Sequence, residues 1–378
     1  MKKHYPLTLL LVLFFSVFLS CGSDDGTDYT DPNPTPVDTL PTDTVTPAPQ
    51  SPVVMDLTTV PYAKLSDYNF FEGDLKNLSP VYGVLPYDLN SSLFTDYARK
   101  KRFVWIPAGK KATYTTDGTV LDFPTGTALI KTFYYNTVVP DNSTIIIETR
   151  VMIRKESGWM FATYVWNEAQ TEAVLNTTGF TQRIKFDENG TIKTTDYVVP
   201  LTTQCIQCHE VSETATAVGP KPQNLNKLYN YADGTKNQLA KWIEFGYLNT
   251  APSTIISTVD WTDASQPLEL RVRSYVDINC AHCHTDNTDC GYTPMNFAFN
   301  KSGLTPDNMG ICRTPVDFVT GNQQYIVTGQ DAEGSLMHFR MNTSIQSEMM
   351  PPLGRKLVHQ EAVALIEQWI NSLAATCP

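Results

Sequence analysis

The sequence predicts an α+β multidomain protein, with a β-rich N-terminal domain (a sandwich or compact barrel) followed by an all-α region. Three observations predict it. Residues 61–200 run in short segments of β-branched and aromatic residues separated by turn signals. From Gln204 onward the texture changes to apolar residues at helical spacing and long irregular loops. The 378 residues, 42% hydrophobic and 18% charged, have a globular composition and length for about two domains, which excludes a disordered chain or a short disulfide-stapled module. The formal charge of -11, with 28 basic residues against 39 acidic ones, argues against a nucleic-acid partner, because a polyanion binds chiefly through Lys and Arg. The basic run Arg99-Lys100-Lys101-Arg102 reads as a solvated loop or strand edge.

Residues 1–20 read as an export signal peptide: Lys2 and Lys3 precede an apolar stretch, Leu7 to Leu19, that is short for a membrane span. Ser20-Cys21-Gly22 then resembles the lipobox of bacterial lipoproteins, with Phe18 where Leu is usual. The expectation is a lipid on Cys21 that anchors an exported, periplasmic or cell-surface lipoprotein to a membrane of a Gram-negative bacterium. Residues 21–59 begin Cys21-Gly22-Ser23-Asp24-Asp25 and continue rich in Thr, Pro and Asp, as a disordered acidic tether does.

The β-rich domain is placed at 60–200. Strands are predicted at Phe103 to Ile106, Ala128 to Tyr135, Thr144 to Ile153 and Trp159 to Trp166. Phe180 to Phe186 and Thr191 to Val199 form a hairpin, since Asn189-Gly190 between them tolerates the positive φ of a tight turn. The aromatics of this half, among them Trp105, Tyr134, Tyr135, Trp159, Tyr164 and Trp166, read as core rather than as a sugar platform. It contains no His, and among Glu148, Glu156, Glu168 and Glu172 no spacing singles out a catalytic pair.

Two smaller units follow, at 201–262 and 263–378. Helices are expected from Lys236 to Leu248, from Pro267 to Asn279 behind candidate caps Asp263 and Ser265, and from Val358 to Leu373. In the last, Val358, Ala362, Leu365, Ile366, Trp369, Ile370 and Leu373 make one broad apolar face.

The chemistry is carried by two C-x-x-C-H motifs, Cys205-Ile206-Gln207-Cys208-His209 and Cys280-Ala281-His282-Cys283-His284. Two thiols on one turn suit the two vinyl groups of a haem, and the adjacent His suits the iron. The competing readings are a structural zinc site and a redox disulfide, but the gap between the pairs is longer than a zinc ribbon uses. Two covalently attached haem c groups are therefore expected, with His209 and His284 as iron ligands. Met350, in Met350-Pro351-Pro352-Leu353-Gly354, is the expected second iron ligand beside His284, with Met349 as alternative.

From Pro267 through the second motif to Met350 and the Trp369 helix, the chain resembles a class I cytochrome c domain, and as a whole it resembles exported dihaem c-type cytochromes with a β-rich N-terminal half. The departure is at the first motif, because no Met or His lies between His209 and Cys280. Met295, Met309, Met337, Met341, His282, His338 and His359 are formally available to it; otherwise a different residue type serves, or the position stays open. Gly219-Pro220 resembles the turn that packs under haem, with the Pro220 carbonyl accepting from the His209 ring. Of the remaining thiols, Cys290 is expected to pair with Cys312, leaving Cys377 free.

The function expected is electron transfer with a redox partner protein that presents a cationic docking face. An electron carrier is favoured over an enzyme. The alternatives are a dihaem oxidoreductase, peroxidase-like or dehydrogenase-coupled, with an open first haem, and a surface binding module with redox haems.

Overall fold

The computed structural model describes residues 49–317, 323–374 and 377–378, which belong to one unit. Residues 1–48, where the signal peptide, the lipid-bearing Cys21 and most of the tether are expected, lie outside the described residues.

Eight strands form the central sheet: β1 (Leu85–Tyr87), β2 (Arg99–Trp105), β3 (Ala128–Val138), β4 (Ser143–Lys155), β5 (Gly158–Trp166), β6 (Ala173–Leu175), β7 (Phe180–Glu188) and β8 (Thr191–Val199). All pair antiparallel in the order β8-β7-β3-β4-β5-β6, while β2 lies between β1 and β3. The β7–β8 hairpin closes through Asn189 (φ 54°) and Gly190 (φ 84°), the left-handed pair that a two-residue hairpin turn needs. A register shift after Phe133 bulges β4 at Ile147 and bends the sheet there.

This is one open sheet, neither a sandwich nor a closed barrel, because largely irregular chain covers one face and helices with their loops cover the other. Val60, Leu65, Tyr68, Phe70 and Phe71 pack on the face made by Phe103, Ile130, Val151, Ala162 and Tyr164. Leu225, Leu239, Trp242 and Ile278 pack on the opposite face beside Val104 and Leu129. With both faces buried, no second sheet is needed to exclude water. The run Arg99-Lys100-Lys101-Arg102 is not a loop but the start of β2: Arg99, Lys100 and Lys101 pair on one side only, as a strand edge does, while Arg102 is paired on both sides, buried and bound to Asp88 at 2.7 Å.

The all-α region is not formed either. Beyond residue 200 the described residues hold four helices of seven residues or more: α1 (Gln238–Glu244), α2 (Leu268–Asn279), α3 (Leu336–Asn342) and α4 (Gln360–Ser372). Two short hairpins, Glu210–Val211 with Thr214–Ala215 and Leu228–Tyr231 with Gly234–Asn237, and long loops make up much of the rest. The reason is local. The stretch 285–317 is dense in Thr, Asn, Asp, Gly and Pro, whose side chains bind nearby backbone instead of extending a helix.

Where apolar periodicity is present, helices do form. Ala362, Leu365, Ile366, Trp369 and Ile370 of α4 are buried against Val272, Tyr275 and Val276 of α2, at about 1.5–3 kcal/mol for each large side chain. Asp263 and Ser265 do not cap α2; the Ser265 hydroxyl donates to Asp263 at 2.7 Å, and Pro267 occupies the cap position. Among the described residues, no helix is long and apolar enough to cross a membrane.

Candidate functional site

Each C-x-x-C-H motif forms one tight turn. His209 N–H donates to the Cys205 carbonyl at 3.1 Å, and His284 N–H to the Cys280 carbonyl at 3.0 Å. The first turn begins inside a 3-10 segment, Thr202–Gln207, and Cys208 ends it, while the second caps the C-terminus of α2. The turns place the two thiols and the imidazole of each motif on the wall of one cavity.

The first cavity, about 1370 Å³ with its open mouth, lies between Cys205, Cys208 and His209 and the second face of the sheet. Leu129, Lys131, Arg150, Met152, Phe161 and Thr163 supply that wall, and the Phe161 ring meets His209 edge-on at 5.2 Å. The first motif is thus sheet-walled, not the centre of a helical lobe. The second cavity, about 910 Å³, is lined by Cys280, Cys283 and His284 and by Met295, Met337, Met341 and Met350. Met349 is buried and does not line it.

The protonation of both imidazoles follows from their partners. His209 Nδ1 lies 2.9 Å from the Thr216 carbonyl, which only accepts, so Nδ1 carries the proton. His284 Nδ1 lies 3.1 Å from the Thr293 hydroxyl, whose own proton goes to the Cys290 carbonyl at 2.7 Å. Nδ1 again donates, and both rings are left with an Nε2 lone pair. Burial keeps both rings neutral. It holds His209 down at about 4, with the Lys131 charge acting the same way and the Thr216 carbonyl opposing. Burial, then His282 and Arg340, hold His284 at about 4. Burial also raises the Cys205 thiol and pushes Cys280 up to about 12.

The two cavities adjoin, sharing Asn279, His282 and Pro351 as wall. At that boundary the sulfurs of Cys208 and Cys283 and a ring nitrogen of His282 lie within 4.8 Å of one another. The hydrogen bond between the two thiols holds Cys208 down and Cys283 up. Comparison with protein-family models, curated proteins and solved structures returned no match.

The Met350 loop is tied down from both halves of the chain. Met350 N–H donates to the Arg340 carbonyl at 2.9 Å, and buried Arg355 donates to the Met350 carbonyl at 3.0 Å. Asp96 accepts the N–H groups of Lys356 and Leu357 at 2.7 and 2.8 Å and the Thr195 hydroxyl of β8 at 2.9 Å.

Of the seven residues that sequence made available to the first motif, only His282 lines its cavity. Met295, Met337 and Met341 line the second cavity, and Met309 is buried in the core beside α2 and α4. His359 is enclosed by Phe94, Trp261 and Tyr275, stacking on Phe94 at 4.0 Å. Sequence reasoning missed Lys131 and Met152. Their only signal was alternation along β3 and β4, which does not say which face meets the motif. Two further corrections concern partners. The Pro220 carbonyl accepts from Leu121 N–H at 3.2 Å, and Thr216 serves the His209 ring in its place. Cys312 pairs with Cys377, their Cα atoms 5.2 Å apart, while Cys290 stays free on the second cavity wall, because the C-terminus returns past Val327 beside Cys312.

Proposed function

We propose that the chain is an exported, lipid-anchored electron-transfer protein that holds two haem c groups, one in each cavity. The residues fit that group: each motif offers two thiols and an Nε2 lone pair on a single cavity wall. Haem bound there supplies a one-electron Fe(III)/Fe(II) couple. Cys205 and Cys208 would hold the first and Cys280 and Cys283 the second, with His209, His284 and Met350 as iron ligands. The chain itself orients both imidazoles through Thr216 and Thr293, excludes water with Phe161 and Phe297, and positions Met350 through Arg355. The observation that carries the reading is the meeting of the two motifs at Cys208 and Cys283, since adjoining redox groups can exchange electrons within one chain.

A cationic partner fits the second cavity. Exposed Asp317 lines it and accepts from exposed Tyr292 at 2.9 Å, and exposed Asp289 stands next to Cys290 of its wall. Export and the lipid on Cys21 belong to the same reading, because haem c is attached outside the cytoplasm.

A second reading takes Cys208, Cys283 and His282 as a three-ligand zinc site with an open fourth position. It leaves Cys205, Cys280 and both neutral imidazoles facing two cavities without a role. The haemochrome spectrum of the exported protein, with metal analysis, separates the two. Two covalent haems per chain are expected; no haem and one zinc would overturn the proposal. Reduction of a cationic redox partner should slow as ionic strength rises, and a flat dependence would remove the acidic docking face.

A further inference from the structure

The sheet face against the first motif carries a row of cations. Cross-strand register sets Arg102 of β2 opposite Lys131 of β3, and Lys131 opposite Arg150 of β4. Residues in register share a face, and Lys131 and Arg150 line the first cavity.

The members of the row differ in what neutralises them. Arg102 binds Asp88 at 2.7 Å. Arg150 binds Glu148 through two nitrogens at 2.9 and 2.7 Å, and Glu148 also accepts the Tyr197 hydroxyl at 2.6 Å. Among the described residues the Lys131 side chain makes no hydrogen bond and no ion pair. Its ammonium lies over the Phe133 ring at 4.9 Å, where the Arg150 guanidinium at 4.6 Å and Lys100 at 5.8 Å crowd the same ring. Burial and the Arg102 and Arg150 charges act against the charged form of Lys131, and the Glu148 charge, already held by Arg150, opposes them. A cation crowded by two others and without a partner of its own is one that an anion entering the cavity stabilises.

A haem held by Cys205, Cys208 and His209 brings two carboxylates into this cavity. Resting on the haem reading above, we propose that Lys131, supported by Arg150, binds a carboxylate of the haem at the first motif, so that the sheet sets the potential of that site. The ammonium suits the task as a compact point charge, while Arg150 keeps its fork on Glu148. A fixed positive charge beside the group favours its reduced form.

The test compares wild type, Lys131→Met and Lys131→Arg in the exported full chain. Haemochrome quantitation comes first, so a chain without covalent haem fails the underlying reading before this one is measured. Spectroelectrochemical titration of both sites follows. Lys131→Met is expected to lower the reduced-to-oxidised ratio of the first site about tenfold at fixed potential, equivalent to about 59 mV for one electron. The second site should not move, and Lys131→Arg should stay within about twofold. Unchanged first-site titration in Lys131→Met would overturn the proposal. So would a wild-type potential that follows added acetate at constant ionic strength, since the cation would then serve a soluble carboxylate. If Lys131→Met does not fold, the propionate bending band in resonance Raman decides: a shift in Lys131→Arg supports the contact, and an identical band overturns it.

Discussion

The two C-x-x-C-H motifs share a spacing and a turn geometry, yet they face unlike surroundings. Opposite Cys205, Cys208 and His209 stands a sheet that offers Lys131, Arg150 and the edge of Phe161. Opposite Cys280, Cys283 and His284 stand loops and helix α3, which offer four methionines. Their imidazoles are anchored differently as well, His209 by a main-chain carbonyl and His284 by a side-chain hydroxyl. The difference teaches that a binding motif defines which atoms can attach a group, while the opposing wall decides how that group is charged and ligated.

The largest expected effect separates the sites by their opposite walls. Met350→Ala should open the second site, with carbon monoxide binding to the reduced protein and a potential lowered by more than tenfold in the reduced-to-oxidised ratio. The first site should keep its spectrum. An unaltered second site would transfer the ligand role to Met295, Met337 or Met341, which line the same cavity.

An effect on stability, of about 3 kcal/mol, concerns the joint between the halves. Burial holds His359 at about 4 against an ordinary 6.5, with Glu361 opposing and Lys100, Lys193 and Arg355 reinforcing; Tyr275 is its hydrogen-bond partner. Below pH 6.5 the unfolded chain takes up a proton at this ring that the folded chain refuses. Stability is therefore greatest above this window and falls as pH drops from 6.5 to about 4, by about 3 kcal/mol at full burial. Urea unfolding across that range should show His359→Phe losing less stability than wild type, and parallel slopes would refute the assignment.

The smallest effect tests the two anchors. Thr293→Val removes the acceptor of the His284 ring and should raise the second-site potential by roughly fivefold in the ratio, the equivalent of about 1 kcal/mol. Thr216→Val should leave the first site unchanged, because its acceptor is the backbone carbonyl. Equal shifts in both variants would erase the distinction.

Much of the local structure was legible in the chain. Asn189-Gly190 specified its hairpin because few residues tolerate positive φ there, and the α4 stripe specified a buried helix because its apolar side chains recur on one face. The strand runs were legible as strands but not as a single open sheet. Spacing cannot reveal that residues 53–84 cover one face and residues after 200 the other. The place of the basic run was hidden for the same reason, since burial of Arg102 depends on Asp88 and on two flanking strands.

By itself the sequence determined the two C-x-x-C-H motifs, Cys205, Cys208 and His209 with Cys280, Cys283 and His284, since such a motif is a matter of spacing along one turn. It also placed Met350 ahead of the last helix. Only the tertiary structure decided that the motifs meet at Cys208 and Cys283, that Cys312 pairs with Cys377, and that Lys131 faces the first cavity. These depend on contacts between residues 65 or more positions apart, and such contacts are set by how the sheet and the loops bury one another, which no local pattern encodes.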